Sequence, residues 1–72
     1  MGALNAIGRR ILILCQERGI ALDELAQKMS IDPHDLISAM NESEQTISLD
    51  FIGEVCLAFG ISISEFFHHS LF

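Results

Sequence analysis

Apolar residues recur along this chain at intervals of three and four, and the stretches that carry them are cut short by glycine and polar turns. Ile7, Ile11, Leu14 and Cys15 fall at i, i+4, i+7 and i+8, which is one stripe of a helix. Gly19 stands where a helix carrying that stripe ends, and further breaks fall at 30–32, 41–48 and 60–62. No segment alternates with period two for long enough to make a strand. In a chain of 72 residues, this pattern predicts a single all-α domain over 1–72, a bundle of five short helices. A chain this short buries only about 60% of its unfolded surface, so self-association is a natural supplement to its core.

The first helix is expected over about 3–18, with Leu12 and Ile13 lying off its core stripe. The second spans 22–29 and turns Leu25, Ala26 and Met29 inward. Asp23 and Glu24 sit in its first turn, where the helix dipole favours negative charge, but Ala21 is a poor cap. The third spans 33–40. Asp32 is a good N-cap and Pro33 suits the first helical position. Leu36, Ala39 and Met40 face inward and leave Pro33, His34, Asp35, Ile37 and Ser38 outside. After a polar loop at 41–47, the fourth helix spans 49–59 with Ser48 as its cap. Leu49, Ile52, Cys56 and Phe59 make its stripe, and Gly60 closes it. The fifth runs over about 63–69, opened by Ser62 and Glu65 at capping-box spacing, and frays into the last residues.

Composition excludes several classes. Half the residues are hydrophobic and the mean hydropathy is +0.41, too apolar for a disordered chain. The longest apolar run, 11–15, falls far short of the ~18 residues of a membrane span. No small-residue cleavage site follows an apolar run near the N-terminus, so a cytoplasmic protein is expected. Cys15 and Cys56 are the only cysteines, and both fall in helical apolar patterns, where they read as reduced, buried thiols. Ser, His, Asp and Cys form no nucleophile motif, and a domain this small has little room for a pocket of ~300 Å³ or more, so neither an enzyme nor a small-molecule binder is expected. Glu65 and His68 stand at i, i+3 with His69 beside them, but one helix end supplies too few ligands, and no metal or cofactor is expected.

Charge is the second strong constraint. The chain carries four Lys and Arg against ten Asp and Glu, a net charge of −6. All four cations, Arg9, Arg10, Arg18 and Lys28, lie in the first 28 residues, where Glu17, Asp23 and Glu24 leave a net of +1. From Met29 to Phe72 there are seven carboxylates and no Lys or Arg. Phosphate backbones are held chiefly by Lys and Arg, so this balance disfavours DNA.

The run Gly19-Ile20-Ala21-Leu22-Asp23-Glu24-Leu25-Ala26-Gln27-Lys28-Met29-Ser30-Ile31-Asp32 resembles helix two and the turn of the Cro/C1-type (lambda-repressor-like) helix-turn-helix family, with Leu25-Ala26 at its most characteristic pair. Phe59-Gly60-Ile61-Ser62, followed by Glu65-Phe66-Phe67, is similar to the family's closing Leu-Gly-Val-Ser and final helix. The resemblance covers about 7–67 and rests on the order and spacing of these blocks. It implies sequence-specific DNA binding by the third helix, with Pro33, His34, Asp35, Ile37 and Ser38 at the reading positions and Arg9, Arg10, Arg18 and Lys28 as the candidates for phosphate contact.

Three departures from the family pattern bear on that implication. The reading positions carry no Lys, Arg or Gln. Asp35 can accept only from cytosine and otherwise repels phosphate, and Ile37 offers no hydrogen bond. The family often pairs an Arg late in helix one with a Glu just after helix three, and Cys15 and Met40 stand at the matching positions. Replacing both partners of a buried ion pair by apolar residues can be neutral or stabilising. Glycines of the turn and of the segment after helix three are replaced by Ser30 and Glu42. Finally, Leu12, Ile13, Ile37, Phe51 and Leu57 stand where the family shows polar residues and, with Leu71 and Phe72, predict a protein interface. Two readings follow. The first is a small regulatory protein that works by protein contact, pairing with itself or with a related repressor as an antirepressor or modulator; a structural or toxin–antitoxin-like partner differs from it in nothing the sequence shows. The second is a dimeric repressor of the Cro/C1 type on a palindromic operator.

Overall fold

The computed structural model describes residues 4–41 and 48–72, and these form five helices. They are α1 (Ala6–Arg18), α2 (Leu22–Met29), α3 (Pro33–Asn41), α4 (Leu49–Phe59) and α5 (Ile63–Phe67). The described residues are all helix, turn and connection, with no strand among them. The expected start of the first helix at residue 3, and the loop at 42–47 with the Glu42 position, lie outside the described residues.

Side-chain caps set most of the helix starts. Asn5 precedes α1 and its Oδ1 accepts the Gly8 amide at 2.6 Å, so α1 begins later than its apolar stripe suggested. Asp32 accepts the His34 amide at 2.8 Å, Ser48 that of Phe51 at 3.1 Å and Ser62 that of Glu65 at 3.0 Å. These are the short oxygen side chains that satisfy otherwise orphaned amides at a helix start. Ala21 makes no such bond, and α2 relies on packing instead.

Three helix ends share one device. Gly19, Ser30 and Gly60 adopt the left-handed conformation, with φ of 66°, 58° and 72°. The isoleucine after each donates its amide back five residues: Ile20 to Cys15, Ile31 to Ala26 and Ile61 to Cys56, each at 3.0 Å. Each of these isoleucines then packs against the core. This is the Schellman arrangement with its hydrophobic contact. The expected glycine of the α2–α3 turn is thus absent while its conformation is kept. Serine holds it against the steric penalty on a left-handed Cβ.

The core centres on Ile11, Leu25, Leu36, Met40, Val55 and Phe66, all fully buried, with eight further buried residues and nine partly buried hydrophobic neighbours packed around them. Cys15 and Met40 both belong to it. Both cysteines are free and buried. Burial pushes both thiols up from their ordinary range, and the charge of Arg10 partly counters this at Cys56. α1 packs on α2 and α3, α2 on α3 and α4, and α4 on α5. The closest approach is at Gly8, where a Cβ would stand 2.8 Å from the Cβ and carbonyl oxygen of Met40. No helix among the described residues is long and apolar enough to cross a membrane.

α1 also ties down the far ends of three other helices. Asn5 donates its backbone amide to Met40 O at 2.9 Å and its side-chain Nδ2 to Ala39 O at 3.1 Å, closing the end of α3. Arg18 Nη1 donates to Phe59 O at 2.8 Å at the end of α4. Arg10 Nε donates to Phe66 O at 2.7 Å and Nη2 to Glu65 O at 3.2 Å, at the end of α5. Terminal carbonyls carry the negative end of the helix dipole, which suits the two guanidinium groups.

Candidate functional site

The arginine placements change the electrostatic reading. Arg10 is buried, with its guanidinium 5.9 Å from the centre of the Phe66 ring. A buried group that donates to two internal carbonyls is not available to a phosphate, and this corrects its assignment as a phosphate contact. Arg18 is exposed, and its Nη1 donates to Phe59 O. Arg9 and Lys28 are exposed. Of the four cations, two therefore serve the interior.

The short α3 brings the five sequence-predicted reading residues together. His34, Asp35 and Ile37 are exposed, and Pro33 and Ser38 are half-buried beside them. Ile37 keeps 44% of its surface in water. The turn before the helix is fixed by Asp32 and by the left-handed Ser30, so this face is rigidly presented. It offers one imidazole, one carboxylate, one hydroxyl and an aliphatic side chain, and no cation.

The expected apolar interface divides. Leu12 and Phe51 are half-buried and pack against the domain's own core, and Ile13 and Leu71 are half-buried as well. Phe72 does not fray. Its ring lies 4.9 Å from that of Phe67 in an edge-to-face contact, and its amide donates to His69 O at 3.1 Å. α5 itself stops at Phe67, two residues before the expected end, and the chain turns so that Leu71 donates to His69 Nδ1 at 3.1 Å. Among the described residues no group of three or more His, Cys, Asp or Glu gathers as a metal site.

What sequence reasoning missed lies on α4. Leu49, assigned to the core stripe, is 73% exposed, and Leu57 is 83% exposed. Together with Gly53, Ile61 and Ile63 they line an open groove of about 700 Å³ between the outer face of α4 and the start of α5. This exceeds the room expected for a domain of this size, because the groove is a concavity of the surface and not a cavity in the core. Asp50 and Glu54 stand along it. A smaller hollow beside it is lined by Lys28, Met29, Glu54, Leu57 and Ala58. The spacing of Leu49, Gly53 and Leu57 at i, i+4 and i+8 was the available signal. Leu49 also falls in register with Ile52 and Cys56, so periodicity alone assigned it inward.

Comparison of the chain with protein-family models, curated proteins and solved structures finds no match.

Proposed function

We propose that this chain is a small transcription-regulatory protein of the Cro/C1 helix-turn-helix type that acts mainly through protein–protein contacts, as an antirepressor or modulator whose own DNA binding is weak or lost. Its partner is a second copy or a related repressor, and the role is a cytoplasmic one. The observation that carries this reading is the outer face of α3. His34, Asp35 and Ile37 are exposed there without a cation among them, while Arg10 and Arg18 are committed to internal carbonyls. The order of α2, a left-handed turn at Ser30 and a capped α3 supports the fold type.

The alternative, a DNA-reading dimer, draws on exposed Arg9 and Lys28 and on the hydrogen-bonding His34 and Ser38. Arg9 and Lys28 on both copies of a dimer give roughly four phosphate contacts, below the six to ten that make affinity fall steeply with salt. Fluorescence anisotropy on the DNA upstream of the gene, against a scrambled duplex at low and moderate salt, separates the two. The expected result is no preference and little binding even at low salt. Salt-sensitive binding that prefers the native sequence overturns the proposal and assigns α3 to the major groove.

A further inference from the structure

Gly53 is a mid-helix residue with no internal reason to be glycine. Its φ is helical, and a Cβ built on it would meet nothing within 4 Å. Glycine inside a helix costs about 1 kcal/mol relative to alanine. Gly8 shows what such a position is used for: the backbone of another helix approaches it to within the space of a Cβ. At Gly53 no such backbone approaches among the described residues. The residues one turn before and after it, Leu49 and Leu57, are the two most exposed large apolar side chains among the described residues. A flat backbone between two aliphatic anchors, with Ile61 and Ile63 as the opposite wall, is a seat for a helix.

The charge along the seat decides what kind of helix. Asp50 and Glu54 stand at i, i+4 on the same helix, where like charges repel. A second copy would bring its own Asp50 and Glu54 to the same interface, with Lys28 as the one cation bordering it, and α3, α4 and α5 contribute no Lys or Arg. A helix with Lys or Arg flanking its apolar stripe would relieve that repulsion. We propose that the α4–α5 groove docks a basic amphipathic helix of another protein, with a small residue of that helix over Gly53 and its cations against Asp50 and Glu54. The proposal rests on the protein-contact reading above and names the chemistry of the partner.

The test uses the intact chain and a synthetic helical peptide. The peptide carries Leu and Ala along one stripe and Lys and Arg on its flanks, with a charge-swapped version in which every cation becomes Glu. Anisotropy of the labelled basic peptide is expected to report saturable binding that weakens about tenfold between low and moderate salt, and none for the swapped peptide. Gly53→Leu, whose Cβ meets nothing within 4 Å in the free domain, should weaken binding about tenfold or more by lifting the helix off its seat. Gln16→Ala, an exposed position of α1 that lines neither hollow, should leave it unchanged. Circular dichroism confirms that both variants fold. Equal binding of the two peptides, or binding indifferent to Gly53→Leu, overturns the proposal. So does a dimer in sedimentation velocity that Gly53→Leu abolishes, since the seat would then belong to a second copy. Each of these failures leaves the protein-contact reading standing, because that reading falls only with sequence-selective DNA binding.

Discussion

Gly8 and Gly53 both stand inside helices, and they mark two different sides of the molecule. At Gly8 the backbones of α1 and α3 close to within a Cβ of each other, and Asn5 ties the end of α3 down beside them. At Gly53 the same residue type faces an open groove between exposed leucines. The α1 side is finished: its polar groups reach three helix ends and its apolar stripe is covered. The outer face of α4 shares the composition of a packed side without its partner. Apolar surface of this kind is stable in a small domain only while its area stays modest, and it marks contact with another chain.

The comparison can be broken most severely at Arg10. Arg10→Ala removes one buried and one part-buried charge-assisted bond and the guanidinium over Phe66, and should cost about 3 kcal/mol in urea unfolding. A loss below about 1 kcal/mol would show that the α1 side is not held this way. Next is Gly8→Ala, which forces Met40 and its carbonyl aside. The overpacking should outweigh the gain in helix propensity and leave a net loss of about 1–2 kcal/mol. Ser30→Gly goes the other way. Relief of a left-handed Cβ should raise stability by about 1 kcal/mol, read as a higher midpoint with unchanged slope. Smallest is Gly53→Ala, expected to gain about 0.5–1 kcal/mol from helix propensity alone. Opposite signs for the same substitution at Gly8 and Gly53 are what the contrast requires; like signs would erase it.

Much of the fold was legible from local chemistry. Asp32, Ser48 and Ser62 announce helix starts because short oxygen side chains satisfy orphaned amides, and Gly19 and Gly60 announce ends because they tolerate positive φ. Asn5 does the same work two residues before the first apolar residue of the stripe, Ile7, inside the span expected to be helical. The site was less legible. Periodicity identifies the face of a helix but not what stands opposite, so Leu49 was turned inward and Leu57 outward although both line one groove. Long-range polar contacts leave no local trace at all. Arg10 and Arg9 are adjacent and alike in sequence, yet one is buried against residues 55 and 56 positions away and the other faces water. Counting both as available cations overstated what the chain could offer to a phosphate.

The reach of α1 has a consequence for how the chain comes into being. Arg10 and Arg18 are synthesised 56 and 41 residues ahead of the carbonyls that receive them. On the ribosome, a nascent chain can cover the apolar stripe of α1 with α2 and α3, but it holds both cations without their acceptors until α4 and α5 follow. A polypeptide stopped at Gly60 would keep the Phe59 acceptor and lack both acceptors of Arg10, so the buried guanidinium finds its partners only once α5 has been made.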